Sequence, residues 1–68
     1  MENYRLPDKF IWELMQLPES GMGYQRVNIK FSDGKVLNDV IVLNCEILKI
    51  DNSIKVDLDK IVEIKLSK

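Results

Sequence analysis

The 68-residue sequence has no histidine and only one cysteine, Cys45. A single cysteine cannot form an internal disulfide, and without histidine the chain lacks the commonest zinc ligand and the usual base of serine and cysteine hydrolases. The carboxylates of Asp57, Asp59 and Glu63 lack the spacing of a calcium loop and suit exposed or helix-capping roles. We therefore expect no metal site, no cofactor and no catalytic residue, and we expect that the protein is not an enzyme.

An excess of one charge and a long apolar run are also absent. Ten basic and eleven acidic residues give a net charge of −1, and no basic arm or acidic tail stands out. The longest aliphatic run, residues 40–43, is far shorter than the roughly 20 residues of a membrane helix. The first residues lack the basic-then-apolar order of a signal peptide. We expect a cytoplasmic protein without a membrane partner.

The sequence does contain enough apolar side chains for one small domain. Hydrophobic residues make up 46% of the chain, which favours a compact fold over disorder. A core of this size is marginal, and neither a disulfide nor a metal is expected to support it. We therefore expect either an unaided small core or a homo-oligomer.

Residues 7–17, PDKFIWELMQL, have the apolar spacing of a short amphipathic helix. Pro7 suits the first helical position, and Pro18 disfavours helical geometry in the residue before it. A helix this short must dock on another element to be stable. Trp12 lies off the centre of the apolar face, which is predicted to consist of Phe10, Ile11, Leu14, Met15 and Leu17.

From Tyr24 onwards the apolar period changes to two, which predicts strands. Asp33-Gly34 between two alternating segments is a strong signal for a hairpin with a two-residue turn. In that register Val27 lies opposite Val40, and the other expected pairs are Phe31 with Val36, Ile29 with Asn38 and Gln25 with Val42.

The two faces of this hairpin differ in polarity. One face carries Val27, Ile29 and Phe31, while Tyr24, Ile41 and Leu43 make one end of the other face apolar. An apolar patch of that kind is unfavourable in water. We expect the N-terminal helix or a second subunit to cover it.

The rest of the chain predicts three more short strands. Asn44 suits a bend, and Asp59 is expected to cap a single helical turn before the last strand. The predicted strands span about residues 24–31, 36–43, 45–50, 54–58 and 61–66. The expected fold is mainly β: one N-terminal α-helix, then a small bent five-stranded antiparallel sheet or partly open barrel. A flat sheet with the helix on one face is the alternative.

Gly21 and Gly23 flank Met22 between the helix and the first predicted strand. A phosphate-binding loop places its glycines before a helix, whereas these follow one. We interpret the segment as a sharp turn in which Met22 tucks into the crevice between helix and strand. The alternative is a mobile loop that contacts an apolar partner.

Two sets of residues are candidates for contacts. Trp12, Met15 and Met22 form the protein-contact set, because aromatic and methionine side chains favour interfaces. For Trp12, the alternative is that it only covers the open end of the barrel. These residues favour a non-catalytic protein-interaction or self-association module as the function.

The alternative function is a single-stranded nucleic-acid-binding small β-barrel that uses Tyr24, Arg26 and Lys30. The acidic net charge and Asp39, which lies across from those cations, count against it. Cys45 is expected to be a half-buried strand thiol, since the neighbouring Glu46 carboxylate raises a thiol pKa rather than activating it.

The stretch from Pro18 to Leu48 resembles a family of short, uncharacterised prokaryotic proteins. They share a Ser-Gly-Met-Gly-Tyr/Trp-Gln segment, an Asp-Gly turn and a Val-x-Val-x-Asn-x-Glu strand, and the resemblance implies no activity. The order of one helix and five strands, with VNIKFSDGKV, is also similar to Sm-like and SH3-like small barrels. The chain lacks the Asp-x-x-Met/Asn and Arg-Gly motifs of Sm proteins, and Asp39 stands where they have a strand glycine, so RNA binding is not implied.

Overall fold

The protein is described by a computed structural model that covers residues 2–19 and 21–67. In chain order its elements are β1 (Glu2–Arg5), α1 (Asp8–Met15), β2 (Tyr24–Phe31), β3 (Val36–Leu43), β4 (Ile47–Ile50), a 3-10 turn (Leu58–Lys60) and β5 (Ile61–Leu66). The predicted mainly β fold, with one helix and five antiparallel strands, is confirmed. The strands form one open sheet in the order β1-β4-β3-β2-β5.

One predicted strand is wrong, and a different segment takes its place. Residues 54–58 do not form a strand; β1, which the sequence patterns did not reveal, pairs with β4 instead. The Asp51 carboxylate accepts bonds from the backbone N–H and the hydroxyl of Ser53, and this turn is not continued by a paired strand. Ile54, Val56 and Leu58 are partly buried and pack against the core without forming a strand.

The β2–β3 hairpin has the predicted pairing at its open end but not at its turn. Val27 lies opposite Val40, as predicted. The turn is longer than predicted, because residues 32–34 form a three-residue loop closed by a 2.8 Å bond from Phe31 N–H to the Lys35 carbonyl. Ile29 therefore lies opposite Leu37, not Asn38, and Lys30 rather than Phe31 lies opposite Val36.

A β-bulge compensates for the longer turn. Asp39 is the extra residue of β3, with a left-handed φ of 56°, and its N–H donates to the Asn28 side-chain oxygen at 2.8 Å. The bulge shifts the register by one residue between Val27 and Ile29. Aspartate is one of the few residues other than glycine that tolerates this conformation.

The core lies between α1 and the inner face of the sheet. Phe10 and Leu14 of the helix are buried in one core cluster with Val27 and Ile29 of β2. The helix therefore covers this face, and the expectation that it covers the Tyr24, Ile41 and Leu43 patch is wrong. The helix ends at Met15, two residues earlier than predicted, and Pro7 is its N-cap rather than its first residue.

The buried side chain of Gln25 hydrogen-bonds the end of α1 to the sheet. Its Nε2 lies 3.0 Å from the Leu14 carbonyl oxygen and 3.3 Å from those of Leu17 and Pro18. The last carbonyls of a helix have no partner within the helix, and here a strand residue supplies one. The Gln25 Oε1 atom has no hydrogen-bond partner among the described residues.

The β3–β4 connection is a tight turn rather than the start of a strand. Asn44 and Cys45 both have left-handed φ values, 53° and 61°, and Glu46 N–H donates to the Leu43 carbonyl at 2.9 Å. Positive φ at both central residues is the pattern of a type I′ hairpin turn. The bend predicted at Asn44 is confirmed, but Cys45 is a turn residue and the next strand begins only at Ile47.

A single helical turn precedes the last strand, as predicted, but its cap differs. The Asp57 carboxylate accepts the 3.0 Å bond from the Asp59 backbone N–H, so Asp57 rather than Asp59 is the capping residue. The pairing of β2 with β5 has one register shift, which lies between Lys30 and Phe31 of β2.

Replacing Gln25 by leucine is expected to destabilise the fold by about 1 kcal/mol, because the carbonyls of Leu14, Leu17 and Pro18 lose the Gln25 donor. The Leu14 carbonyl keeps its 3.0 Å bond from the Leu17 N–H. Urea denaturation followed by circular dichroism measures this loss. The control is Gln16→Ala, which removes an exposed bond to the Trp12 carbonyl and should change the free energy of unfolding by less than about 0.5 kcal/mol. Equal effects of the two substitutions would contradict the role assigned to Gln25.

Candidate interaction surfaces

The outward side of α1 presents two large apolar side chains to solvent. Trp12 is 66% exposed and Met15 is 61% exposed, whereas Phe10 and Leu14 on the opposite side fill the core. Met15 therefore does not belong to the buried face predicted for it. Residues three apart on a helix are neighbours on its surface, so Trp12 and Met15 form one patch, named here the helix surface. An exposed Trp12 does not cover the end of a barrel.

The glycine segment forms a turn with Met22 at its corner. Gly21 and Tyr24 form a bridge, with Gly21 N–H donating to the Tyr24 carbonyl at 3.3 Å. Gly23 has a φ of 79°, which the third position of a type II turn requires. At Gly21 a β-carbon would collide with the Tyr24 ring. The predicted turn is confirmed.

Met22 itself is completely exposed. The prediction that it tucks into a crevice between helix and strand is therefore wrong. A fully exposed side chain packs against nothing else in the described chain, so Met22 is not part of the helix surface. It remains a separate apolar contact point on the neighbouring turn.

The candidate nucleic-acid residues lie on the outer face of the sheet, away from α1. Tyr24, Arg26 and Lys30 occupy alternate positions of β2, opposite in phase to the buried Val27 and Ile29. Arg26 forms an ion pair with Asp39 at 3.7 Å, with both side chains more than half exposed. Lys30 lies opposite Glu63 of β5. An acidic residue therefore lies beside each of the two cations, and Asp39 was the one expected from the sequence.

An apolar row crosses the outer face, and only part of it was predicted. Tyr24 lies opposite Leu43, which in turn lies opposite Ile47 of β4, and all three side chains are half-buried. The place of Ile47 in this row was not predicted, because the strand was expected to begin at Cys45. Arg5 continues this row on β1, and its guanidinium pairs with Glu46 at 3.0 Å and Asp8 at 3.2 Å.

The edge of the sheet at β5 is a further surface, which sequence patterns did not reveal. Among the described strands, none lies beyond β5. A groove of about 400 Å³ separates this edge from the end of α1 and is lined by Glu13, Gln16, Leu17, Ile64, Lys65 and Leu66. This groove is the edge groove. Strand order depends on long-range pairing, so no local pattern could have placed β5 at an edge.

The side chain of Cys45 is half-buried. Burial raises the pKa of its thiol, and the negative charge of Glu19 raises that pKa further. The predicted direction is confirmed, although Glu19 rather than Glu46 is the carboxylate responsible. A raised pKa lowers the thiolate fraction at neutral pH and so lowers nucleophilicity.

The described part of the chain has neither a metal-binding cluster of side chains nor a helix that could span a membrane. Residues 2–19 and 21–67 contain no cluster of three or more cysteine, aspartate and glutamate side chains that is placed to hold a metal ion. Over the same ranges, the helices are too short and too polar to cross a membrane.

Comparison with known proteins returned no relative: no protein-family model, curated protein or solved structure matches the chain. The resemblance of residues 18–48 to a prokaryotic family, and of the whole chain to Sm-like barrels, stays a prediction.

The Cys45 thiol is expected to react with iodoacetamide at pH 8 several-fold more slowly in the folded protein than in urea, because its raised pKa keeps it protonated. Glu19→Gln should lower that pKa and speed the folded-state reaction, which mass spectrometry follows. Glu46→Gln is the matched control and should leave the rate unchanged. A faster reaction with Glu46→Gln than with Glu19→Gln would contradict this assignment.

Proposed function

We propose that the protein is a non-catalytic protein-interaction or self-association module. The observation that supports this most directly is the helix surface: α1 buries Phe10 and Leu14 while exposing Trp12 and Met15. Tryptophan and methionine are enriched in interface cores, and tryptophan is among the residues that carry most binding energy. Neither side chain contributes to the buried core of the chain.

The helix surface is both exposed to water and held on a fixed element. Covering apolar surface is favourable by about 25 cal/mol per Å², and Trp12 and Met15 together offer a patch that another protein can cover. The end of the helix is held by Gln25 through the Leu14 carbonyl, so the patch is presented on a fixed element. A preordered surface loses little conformational entropy when a partner binds.

Trp12→Gln combined with Met15→Gln is expected to weaken binding to a protein partner at least about tenfold, since the apolar contact is lost. Immobilised wild-type and variant proteins are compared for the partners that they retain, and affinities are then measured with each purified partner. Both positions are exposed, so the fold should lose less than about 0.5 kcal/mol.

Val36→Gln is the matched control, because Val36 is also a large exposed apolar residue but lies opposite Lys30 on the outer face of the sheet. It should leave partner binding intact. Partners that survive the double substitution, or that are lost equally with Val36→Gln, would refute the helix surface as the contact.

A single-stranded nucleic-acid-binding role is the second candidate. The observation that favours it is the outer face, where Tyr24, Arg26 and Lys30 alternate along β2 and Lys65 lies opposite Asn28. Aromatic rings that stack on bases and cations that follow phosphates are the means by which small β folds bind single strands. The ion pair between Arg26 and Asp39 weakens this candidate.

If nucleic acid binds there, Arg26→Glu should abolish low-salt retention of a mixed-sequence single-stranded oligonucleotide, and Asp39→Asn should strengthen it. Fluorescence anisotropy across a salt series measures both effects. Lys9→Glu reverses an exposed charge on α1 and is the control, since it lies on the other side of the sheet. Absence of binding by the wild type at low salt excludes the role.

A further inference from the structure

At the open edge of β5, alternate residues direct their main-chain N–H and C=O groups away from β2. The Ser67 N–H donates to the Arg26 carbonyl at 2.8 Å, so the pairs Asn28–Lys65 and Lys30–Glu63 are the ones that share hydrogen bonds with β2 in this antiparallel ladder. Alternation then directs the N–H and C=O groups of Ile64 and Leu66 outward. These groups can pair with another strand.

From this edge we infer that a second copy of the chain adds its own β5 antiparallel to β5, which joins two sheets across a two-fold axis at Ile64. This inference rests on the self-association part of the proposed function and names the partner and the surface. Dimers with two-fold symmetry use the same patch on both copies, and an exposed strand edge is the patch that pairs most readily with itself.

Charge selects this register among those that the backbone permits. Outward-directed groups must meet outward-directed groups, and alternation makes residues 62, 64 and 66 the outward ones. The registers that form at least two pairs among these residues place the two-fold axis at residue 63, 64 or 65. An axis at Glu63 would place two glutamates opposite each other, and an axis at Lys65 would oppose two lysines. Like charges directly opposite are destabilising. With the axis at Ile64, Glu63 of each copy lies opposite Lys65 of the other.

The same register gives the charges a close approach. If Ile64 pairs with Ile64 of the second copy through main-chain hydrogen bonds, the adjacent Glu63–Lys65 pairs are the non-hydrogen-bonded type, in which side chains are closest. Within one chain Glu63 and Lys65 already form an ion pair at 3.2 Å. The second copy would place the same two charges in reverse order beside it, which creates four alternating charges.

Apolar contacts accompany the charges. Val62 is 56% exposed and would lie opposite Leu66 of the second copy, which is half-buried. Leu17, which is 37% exposed, lines the edge groove with Ile64. A strand added at this edge would cover the mouth of that groove and reduce the exposure of these side chains.

Charge reversal tests the register. In sedimentation velocity at tens of micromolar, the wild type is expected to show a monomer–dimer equilibrium, as suits an interface of modest area. Glu63→Lys and Lys65→Glu should each weaken the dimer about tenfold or more, because each puts like charges opposite. The double variant Glu63→Lys/Lys65→Glu should regain the dimer, and an equimolar mixture of the single variants should form a heterodimer.

The controls separate this inference from the proposed function. In the equimolar mixture neither chain regains the intrachain Glu63–Lys65 ion pair, so a heterodimer formed there cannot reflect repair of the monomer. Trp12→Gln/Met15→Gln should leave the dimer intact while it affects partner binding. A monomeric wild type would overturn the β5 dimer and would leave the proposed role of the helix surface unaffected. A dimer insensitive to both single reversals, or not restored by the double variant, would overturn the register.

Discussion

The contact between the Gln25 amide and the Leu14 carbonyl holds the two layers of this protein in place. The helix α1 has eight residues, which is too short to persist in water alone. Its own buried side chains, Phe10 and Leu14, supply non-directional attraction to the sheet. The amide adds direction, because Nε2 reaches the carbonyl oxygens at the helix end only when α1 lies in one position. An inward-facing polar residue thus fixes the position of α1 on the sheet.

Two compensating irregularities set the central hairpin. The loop at residues 32–34 is one residue longer than the Asp-Gly signal implied, which alone would turn the apolar residues of β3 to the wrong face. The Asp39 bulge returns the register, so that Val27 and Gln25 meet the predicted Val40 and Val42. Asn28 supports the bulge by accepting the Asp39 N–H. The requirement to bury one face therefore determined the register more strongly than the turn did.

Local sequence patterns correctly predicted the buried face of β2 and the glycine turn, which depend on apolar period and turn chemistry. They failed for features that depend on contacts between distant segments. Alternation correctly placed Val27, Ile29 and Phe31 inside, and the positive φ of Gly23 matches its expected turn. The pairing of β1 with β4 could not be predicted, because Glu2–Arg5 has little apolar alternation and its partner lies more than forty positions away. The exposure of Met22 was not predicted for a related reason. An apolar side chain is buried only where another part of the protein lies close enough to cover it.

The arrangement of α1 on the sheet separates the two surfaces proposed for association. Glu13 of α1 and Leu17, which follows the helix, lie towards the β5 edge, where they line the edge groove. Trp12 and Met15 are exposed and do not line the edge groove. A second copy added at β5 would therefore approach the groove side of α1 and leave the helix surface uncovered. Such a dimer would present two helix surfaces related by its two-fold axis, so that a partner with paired sites would bind more tightly than one with a single site.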